Sequence, residues 1–236
     1  MREADPHVEA GPTRMHYCLR RAETLPDILA AWDDPGWATA ETLSIASYHP
    51  RSSRHRPRVE ARLLHDGRAI AGMFRVEDRN VLARATAYQE PTHEDSCVEF
   101  FAMPHARAGY FNFEWNAIGT LLLWYIDKPR RADGSFESYV PVPPELARDI
   151  AVHASLPGPM VEEQPGPLLW MVSFRIPLAV FETFAGPLGD LGGQIWQGNF
   201  YKCADASSCP HWGAWSDIGG GLDFHQPARF GEIVFE

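Results

Sequence analysis

The stretch from Asp95 to Thr120, DSCVEFFAMPHARAGYFNFEWNAIGT, constrains the fold more than any other, because it alternates apolar and polar residues twice around a turn-like break. Successive side chains of a strand point to opposite faces. Asp95, Cys97, Glu99 and Phe101 therefore share one face, and Ser96, Val98, Phe100 and Ala102 the other. In the second segment Tyr110, Asn112, Glu114 and Asn116 oppose Phe111, Phe113 and Trp115. Paired as a hairpin across Met103 to Gly109, the strands bring Glu99 close to Asn112 and Glu114. Carboxylates and an amide side by side on an otherwise apolar sheet make either a hydrogen-bonding site or a solvated face.

Similar patterns recur along the chain. Val59–Leu64 and Ala69–Glu77 alternate around His65-Asp66-Gly67-Arg68, a hairpin signature. Val81 to Ala87, Leu121 to Ile126, Leu168 to Ile176, Gln194 to Cys203 and Glu232 to Phe235 read as further strands, and Tyr17 to Arg21 as an edge strand. Asp127 to Pro167, rich in Pro and charge, offers one strand near Ile150 to Ala154. Thr24 signals the cap of a short helix, with Pro26 in the first turn, Asp27 three residues on, and Ile28, Leu29 and Trp32 apolar. Pro177 opens a second helix that ends at Gly186, with Leu178, Phe181 and Phe184 as its apolar face.

Twenty prolines and nineteen glycines, spread through 236 residues, keep every element short. About ten short strands with no internal repeat point to an all-β fold, a β-sandwich of two antiparallel sheets with two short helices. Residues 1–14 show no periodicity and are expected to form a disordered tail, leaving a single domain over residues 15–236.

The formal charge of −10 disfavours nucleic acid, whose phosphates demand a basic surface. The basic run His49 to Arg58, irregular at Pro50 and Pro57, reads as a solvated loop before a strand, with an anion or acidic-sugar contact as the alternative. No apolar run approaches the ~20 residues that span a bilayer, so no membrane partner is expected. The N-terminus has no apolar signal region, which points to a cytoplasmic protein, or to an extracellular or periplasmic one whose leader has been removed. Of the four cysteines, Cys203 and Cys209 flank a turn and would pair in an oxidising compartment, but free buried thiols are the expectation.

Several chemistries compete for the polar residues. Glu99 and Glu114 on adjacent strands have the makings of a glycosidase pair, which needs carboxyl groups roughly 5 to 10 Å apart. They would equally well pair with Arg75, Arg84 or Lys202. Cys203, Cys209, His211 and His225 offer zinc-type ligands, but the spacing C-x5-C-x-H matches no standard knuckle. Calcium needs clustered oxygens, for which Asp66, Asp78 and Asp95 are candidates without a spacing argument. There is no G-x-S-x-G, Walker loop or H-E-x-x-H.

Asp95 to Phe101, WSD at Trp215 to Asp217 and FHQPARFG at Phe224 to Gly231 together resemble the family nine carbohydrate-binding modules and the bacterial family nine-like sugar-binding domains. DDPGWATA around Trp37, RVEDR at Arg75 to Arg79 and NFYKC at Asn199 to Cys203 extend the resemblance over roughly Trp32 to Phe235. It implies a β-sandwich that binds a mono- or oligosaccharide without catalysis, between stacked aromatic rings and polar side chains, with structural calcium. Carried over by position, Glu99, Asn112, Glu114 and Tyr201 fall at polar contacts and Phe224 at one aromatic platform. The second platform falls on Thr92, which has no ring; His93, Trp212 and Trp215 are the substitutes at hand. Two alternatives stay open beside this one. A carbohydrate-active hydrolase would use Glu99 and Glu114. A haem-binding redox sandwich, known among relatives of the fold, would draw on Met103 or Met171 with His105 or His211.

Overall fold

The computed structural model describes residues 14–106, 109–130 and 135–236. All but the last residue of the expected tail lies outside them, as does part of the loop between the two opening strands. The chain begins with β1 (His16–Arg21), β2 (Leu43–Ile45), β3 (Ser47–Tyr48), β4 (Arg58–His65), β5 (Ala69–Asp78) and β6 (Val81–Ala83). The central hairpin is β7 (Cys97–Met103) with β8 (Tyr110–Asn116), followed by β9 (Leu121–Arg130), β10 (Phe136–Pro141), helix α1 (Pro144–Ala147), β11 (Ala151–Ala154) and β12 (Met160–Gln164). Then come β13 (Leu168–Pro177), helix α2 (Leu178–Ala185), β14 (Ile195–Cys203), β15 (Trp212–Ala214) and β16 (Gly231–Phe235).

The strands run in the order β10-β9-β8-β7-β14-β16-β1-β4-β5-β13-β11, a curled sheet whose two halves face each other as a sandwich; β12 pairs separately with β6. The seam is β1. Its residues His16 to Leu19 pair in parallel with β16, and Arg20 and Arg21 pair in parallel with β4. The strand expected at an edge therefore lies in the middle, where it passes from one layer to the other. The edges fall to β10 and β11, both from the Pro-rich segment in which only one strand was expected.

Between the layers sits an aromatic core. Phe174 of β13 stacks on Trp115 of β8 at 4.5 Å between ring centroids and on Phe100 of β7 at 6.2 Å. Phe100 in turn stacks on Phe200 of β14 at 4.9 Å. Offset stacks of this kind are worth about 0.5–1.5 kcal/mol each beyond the area they bury. Gly72 is the cross-strand partner of Phe174, and a side chain there would overlap its ring.

Of the expected helices, the second forms: α2 follows Pro177 and stops before Gly186, whose φ of 80° is a conformation that glycine adopts without strain. The first does not. Residues after Thr24 make successive turns across the outer face of β4 and β5, burying Leu25 and Trp37 with Leu64 and Met73. Arginines capture the carbonyls that a helix would use internally: Arg175 donates to Pro26 O at 2.6 Å and Arg62 to Trp32 O at 2.9 Å. Asp27 folds back on the Leu29 N–H at 2.8 Å, a turn contact. The second short helix of the fold is instead α1, opened by Pro144.

One buried ionic network ties the two strand groups together. Lys202 of β14, fully buried, lies 3.4 Å from Asp78 of β5 and 2.8 Å from His211 Nε2, and donates to Cys203 O. His55 sits 2.7 Å from the other Asp78 oxygen. Burial alone would raise the Asp78 carboxyl, but Lys202 and the His55 hydrogen bond outweigh it and hold the group below the usual carboxylate range. Burial, with Lys202 alongside, pushes His211 down to about 3. An imidazole lowered from 6.5 stays neutral in the fold while the unfolded chain takes up a proton, so its stability contribution is present above pH 6.5 and is lost as pH falls toward 3. The slope is at most about 1.4 kcal/mol per pH unit for one group. Denaturant unfolding of His211→Gln measured between pH 7 and 4 is expected to show a flatter loss of stability than the wild type.

Candidate functional site

The register of the first layer builds the site row by row. On its outer face Tyr201 of β14, Glu99 of β7, Glu114 of β8 and Leu122 of β9 lie abreast; the next row is Asn199, Phe101, Asn112 and Trp124. The row on the other side brings Cys203, Cys97 and Asn116 together. This face is neither solvated nor apolar throughout. Ile218 and Phe230 cover one end of it, with Phe101, Met103, Tyr110 and Tyr201 beneath. The covering segment runs between β15 and β16.

At the remaining part of the face a concavity of about 470 Å³ opens. Glu99 and Glu114 lie at its floor with Cys203, and Asp205 and Asp223 contribute further carboxylates. Rings come from Phe224, Trp124, Phe136 and Trp212, and imidazoles from His93 and His225. Trp212 is fixed by donating to Asp205 at 2.6 Å, and Trp124 by edge contact with Phe136 at 5.8 Å. A wider depression of about 810 Å³ lies elsewhere, beside Arg54, Arg56, Arg58 and Arg79. It includes much of the basic loop before β4, with His55, but no Phe, Tyr or Trp lines it.

Of the six residues assigned to ligand contact, Glu99, Glu114, Phe224 and His93 line the smaller concavity. Asn112 and Tyr201 lie beneath it, fully buried. The Asn112 amide donates to Glu114 at 2.7 Å and accepts the Trp124 N–H at 2.8 Å, so it orients a carboxylate from below. Tyr201 carries Phe224: the rings stack at 4.1 Å and 6°, and the tyrosine hydroxyl donates to Phe224 O at 2.9 Å. With one face on Tyr201, Phe224 turns the other to the concavity. Thr92, at the position lacking a ring, is buried and donates to Glu114 O. Trp124 and Phe136 were not foreseen, although the period-two rule places Trp124 on the same face as Asn112.

The arginine partners considered for the two glutamates are engaged elsewhere. Arg75 pairs with Glu60 and Glu77, and Arg84 with Glu94 and Asp95. Lys202 belongs to Asp78. His93 approaches Glu114 at 3.8 Å, and the Cys203 thiol donates to Glu99 at 3.1 Å. Burial first, then the Cys203 thiol and Glu114 beside it, raise the Glu99 carboxyl well above the usual carboxylate range. This environment favours the protonated form of Glu99, which can donate a hydrogen bond.

The metal candidates scatter. Cys209 accepts from Asn80, His211 contacts Lys202, and His225 lies 2.9 Å from the Tyr110 hydroxyl, so they do not join Cys203 in a zinc set. Asp66 accepts the turn N–H groups of Arg68 and Ala69, Asp78 holds Lys202 and His55, and Asp95 accepts from Arg84 N, Ala85 N and the Asn116 amide. Carboxylates saturated in this way by N–H donors, in separate places, do not fit calcium, which needs converging oxygens. Met103 and Met171 lie in different apolar clusters, as core packing requires. All four cysteines are free.

The raised Glu99 carboxyl carries a stability cost with a definite sign. The folded group keeps its proton above the ordinary value of 4.5, so its contribution is fully present below that pH and is lost as pH rises toward the folded value. Glu99→Gln removes the titration. Thermal melts are expected to show the variant gaining on the wild type at pH 8 and the difference shrinking toward pH 4; a constant deficit at every pH would contradict it.

Comparison with known proteins follows the same outline. No curated protein matches by sequence search. A carbohydrate-binding protein fold from Bacteroides uniformis, to which sugar binding is ascribed, superimposes with a TM-score of 0.82 at 29% identity, over 95% of this chain and 100% of that one. A family 9 carbohydrate-binding module from Caldicellulosiruptor kristjanssonii, solved with glucose, gives a TM-score of 0.60 at 16% identity over 94% and 96% of the two chains. Its complex with cellotriose gives 0.58 at 15% identity over 94% of each. The sequence profile of carbohydrate-binding family 9 matches residues 37–235, which contain the whole concavity, and the chain belongs to that family.

Proposed function

We propose that the protein binds a mono- or oligosaccharide in the concavity above Glu99 and Glu114, without catalysing its breakdown. The observation that carries this reading is the joining of carboxylates and aromatic rings in one recess: Phe224, Trp124 and Trp212 beside Glu99, Glu114 and Asp205. A pyranose presents an apolar C–H face to a ring and hydroxyls to carboxyl groups, so a site for it needs that mixture. Membership of the family and the glucose and cellotriose complexes of the Caldicellulosiruptor module support the same class of ligand. The Bacteroides relative supports a bacterial source.

The arrangement is better suited to holding a sugar than to cutting one. A glycosidase sets its two carboxyl groups on either side of the bond to be broken. Here Glu99 and Glu114 are direct cross-strand partners on one floor, and one of them is tied to Asn112. Hydrogen bonds to an ionised carboxylate contribute about 1.5–3 kcal/mol each. A few of them and one ring platform suit dissociation constants from roughly micromolar to millimolar.

Calorimetric titration of the protein with glucose and short glucans tests this. Saturable binding is expected, weakened about tenfold in Phe224→Ala, which removes a stack worth up to about 1.5 kcal/mol. Flat titrations across a panel of mono- and oligosaccharides would overturn the reading. Turnover of an aryl glycoside that disappears in Glu99→Gln would replace it with a hydrolase.

A further inference from the structure

We propose that Cys97, Cys203 and Glu99 form a zinc site in the floor of the concavity. The cysteines are register partners across the β7–β14 pair, and Glu99 follows Cys97 by two residues on the same face. Their sulfur and oxygen atoms all lie within 4.8 Å of one another, the sole such His, Cys, Asp or Glu group of three or more among the described residues. Tetrahedral zinc, with bonds of about 2.3 Å to sulfur and about 2.0 Å to oxygen, sets its ligand atoms roughly 3.5–3.8 Å apart. The Cys203 to Glu99 separation of 3.1 Å and the 4.8 Å limit bracket that spacing, so small side-chain adjustments complete it.

The donor set also fits the ion chemically. Two thiolates select a soft or borderline ion over calcium or magnesium, and three protein ligands leave one position of the tetrahedron free. Glu99 and Cys203 line the concavity, which gives the ion a route in and directs the free position toward whatever occupies the recess. All three side chains are buried, so they are held rather than solvated.

Binding breaks two S–H bonds, forms two Zn–S bonds and one Zn–O bond to the Glu99 carboxylate, and releases the two thiol protons, with any proton Glu99 carries, to solvent. Because ligation displaces protons, affinity rises with pH. The proposal rests on the donor set; it shares Glu99 and the concavity with the sugar reading but does not require a sugar to bind.

Cobalt(II) titration of the full chain, reduced and free of oxygen at pH 8, provides the test. One equivalent is expected to bind with a thiolate-to-cobalt charge-transfer band that zinc bleaches. Cys97→Ala and Cys203→Ala should lose the band, and Glu99→Gln should weaken binding at least about tenfold, as loss of even an outer-shell partner does. Cys18→Ala and Cys209→Ala should keep it. Circular dichroism checks that each variant folds, and if Cys97→Ala does not, Cys203→Ala and Glu99→Gln decide. No charge-transfer band in the wild type, or a band that survives in Cys203→Ala, would overturn the site. Calorimetry with sugar on the same samples reports the carbohydrate reading separately.

Discussion

The whole binding face depends on the burial of β7 and β8 on both sides. Inward, Phe100, Phe113 and Trp115 join the stack that Phe174 completes from the opposite layer. Outward, the segment before β16 lays Phe224 and Phe230 over Tyr201, Phe101 and Tyr110. A strand pair closed on both faces has its backbone and side chains held by packing, so the polar groups it carries are positioned before any ligand arrives. Pre-positioning of this kind avoids part of the ordering cost that binding otherwise incurs.

That rigidity comes with an electrostatic cost. Taking Glu99 out of water, beside Cys203 and Glu114, disfavours its charge and pushes its carboxyl well above the usual range. Across the sandwich the opposite solution is used. Asp78 remains ionised because Lys202 and His55 close on it, and His211 gives up its charge beside Lys202. One buried carboxyl is thus pushed up for want of a cation, and the other held down because it has one.

What could be read from the chain follows from which forces are local. The hairpin of β4 and β5, the β7–β8 pair and the sharing of a face by Glu99, Asn112 and Glu114 all follow from alternation, a property of neighbouring residues. Alternation does not say what covers a face. Tyr201 and Asn112 were assigned to direct contact, and both are buried: Tyr201 under Phe224 of a loop that has no periodicity to read, and Asn112 against Glu114 and Trp124. Trp124 was on the correct face by the same rule, yet its role emerges only where Phe136 folds back beside it from β10. The segment after Thr24 carries a cap, a proline and an apolar spacing, and still forms turns, because Arg62 and Arg175 from distant strands take its carbonyls. Helix signals are weak priors against tertiary contacts of that kind.

The parallel seam made by β1 has a consequence for how the fold comes into being. One side of β1 pairs with β4, close by in sequence, whereas the other pairs His16 with Glu232 and Leu19 with Phe235. The β1–β16 pairing joins segments more than two hundred residues apart, and its loop-closure entropy has to be met before the contacts reward it. On a ribosome the layer of β4, β5 and β13 can assemble while the chain emerges, but the two layers cannot be joined along this seam until β16 is released. The outer aromatic face around Tyr201, covered by the segment that immediately precedes β16, stays uncovered until that segment has emerged.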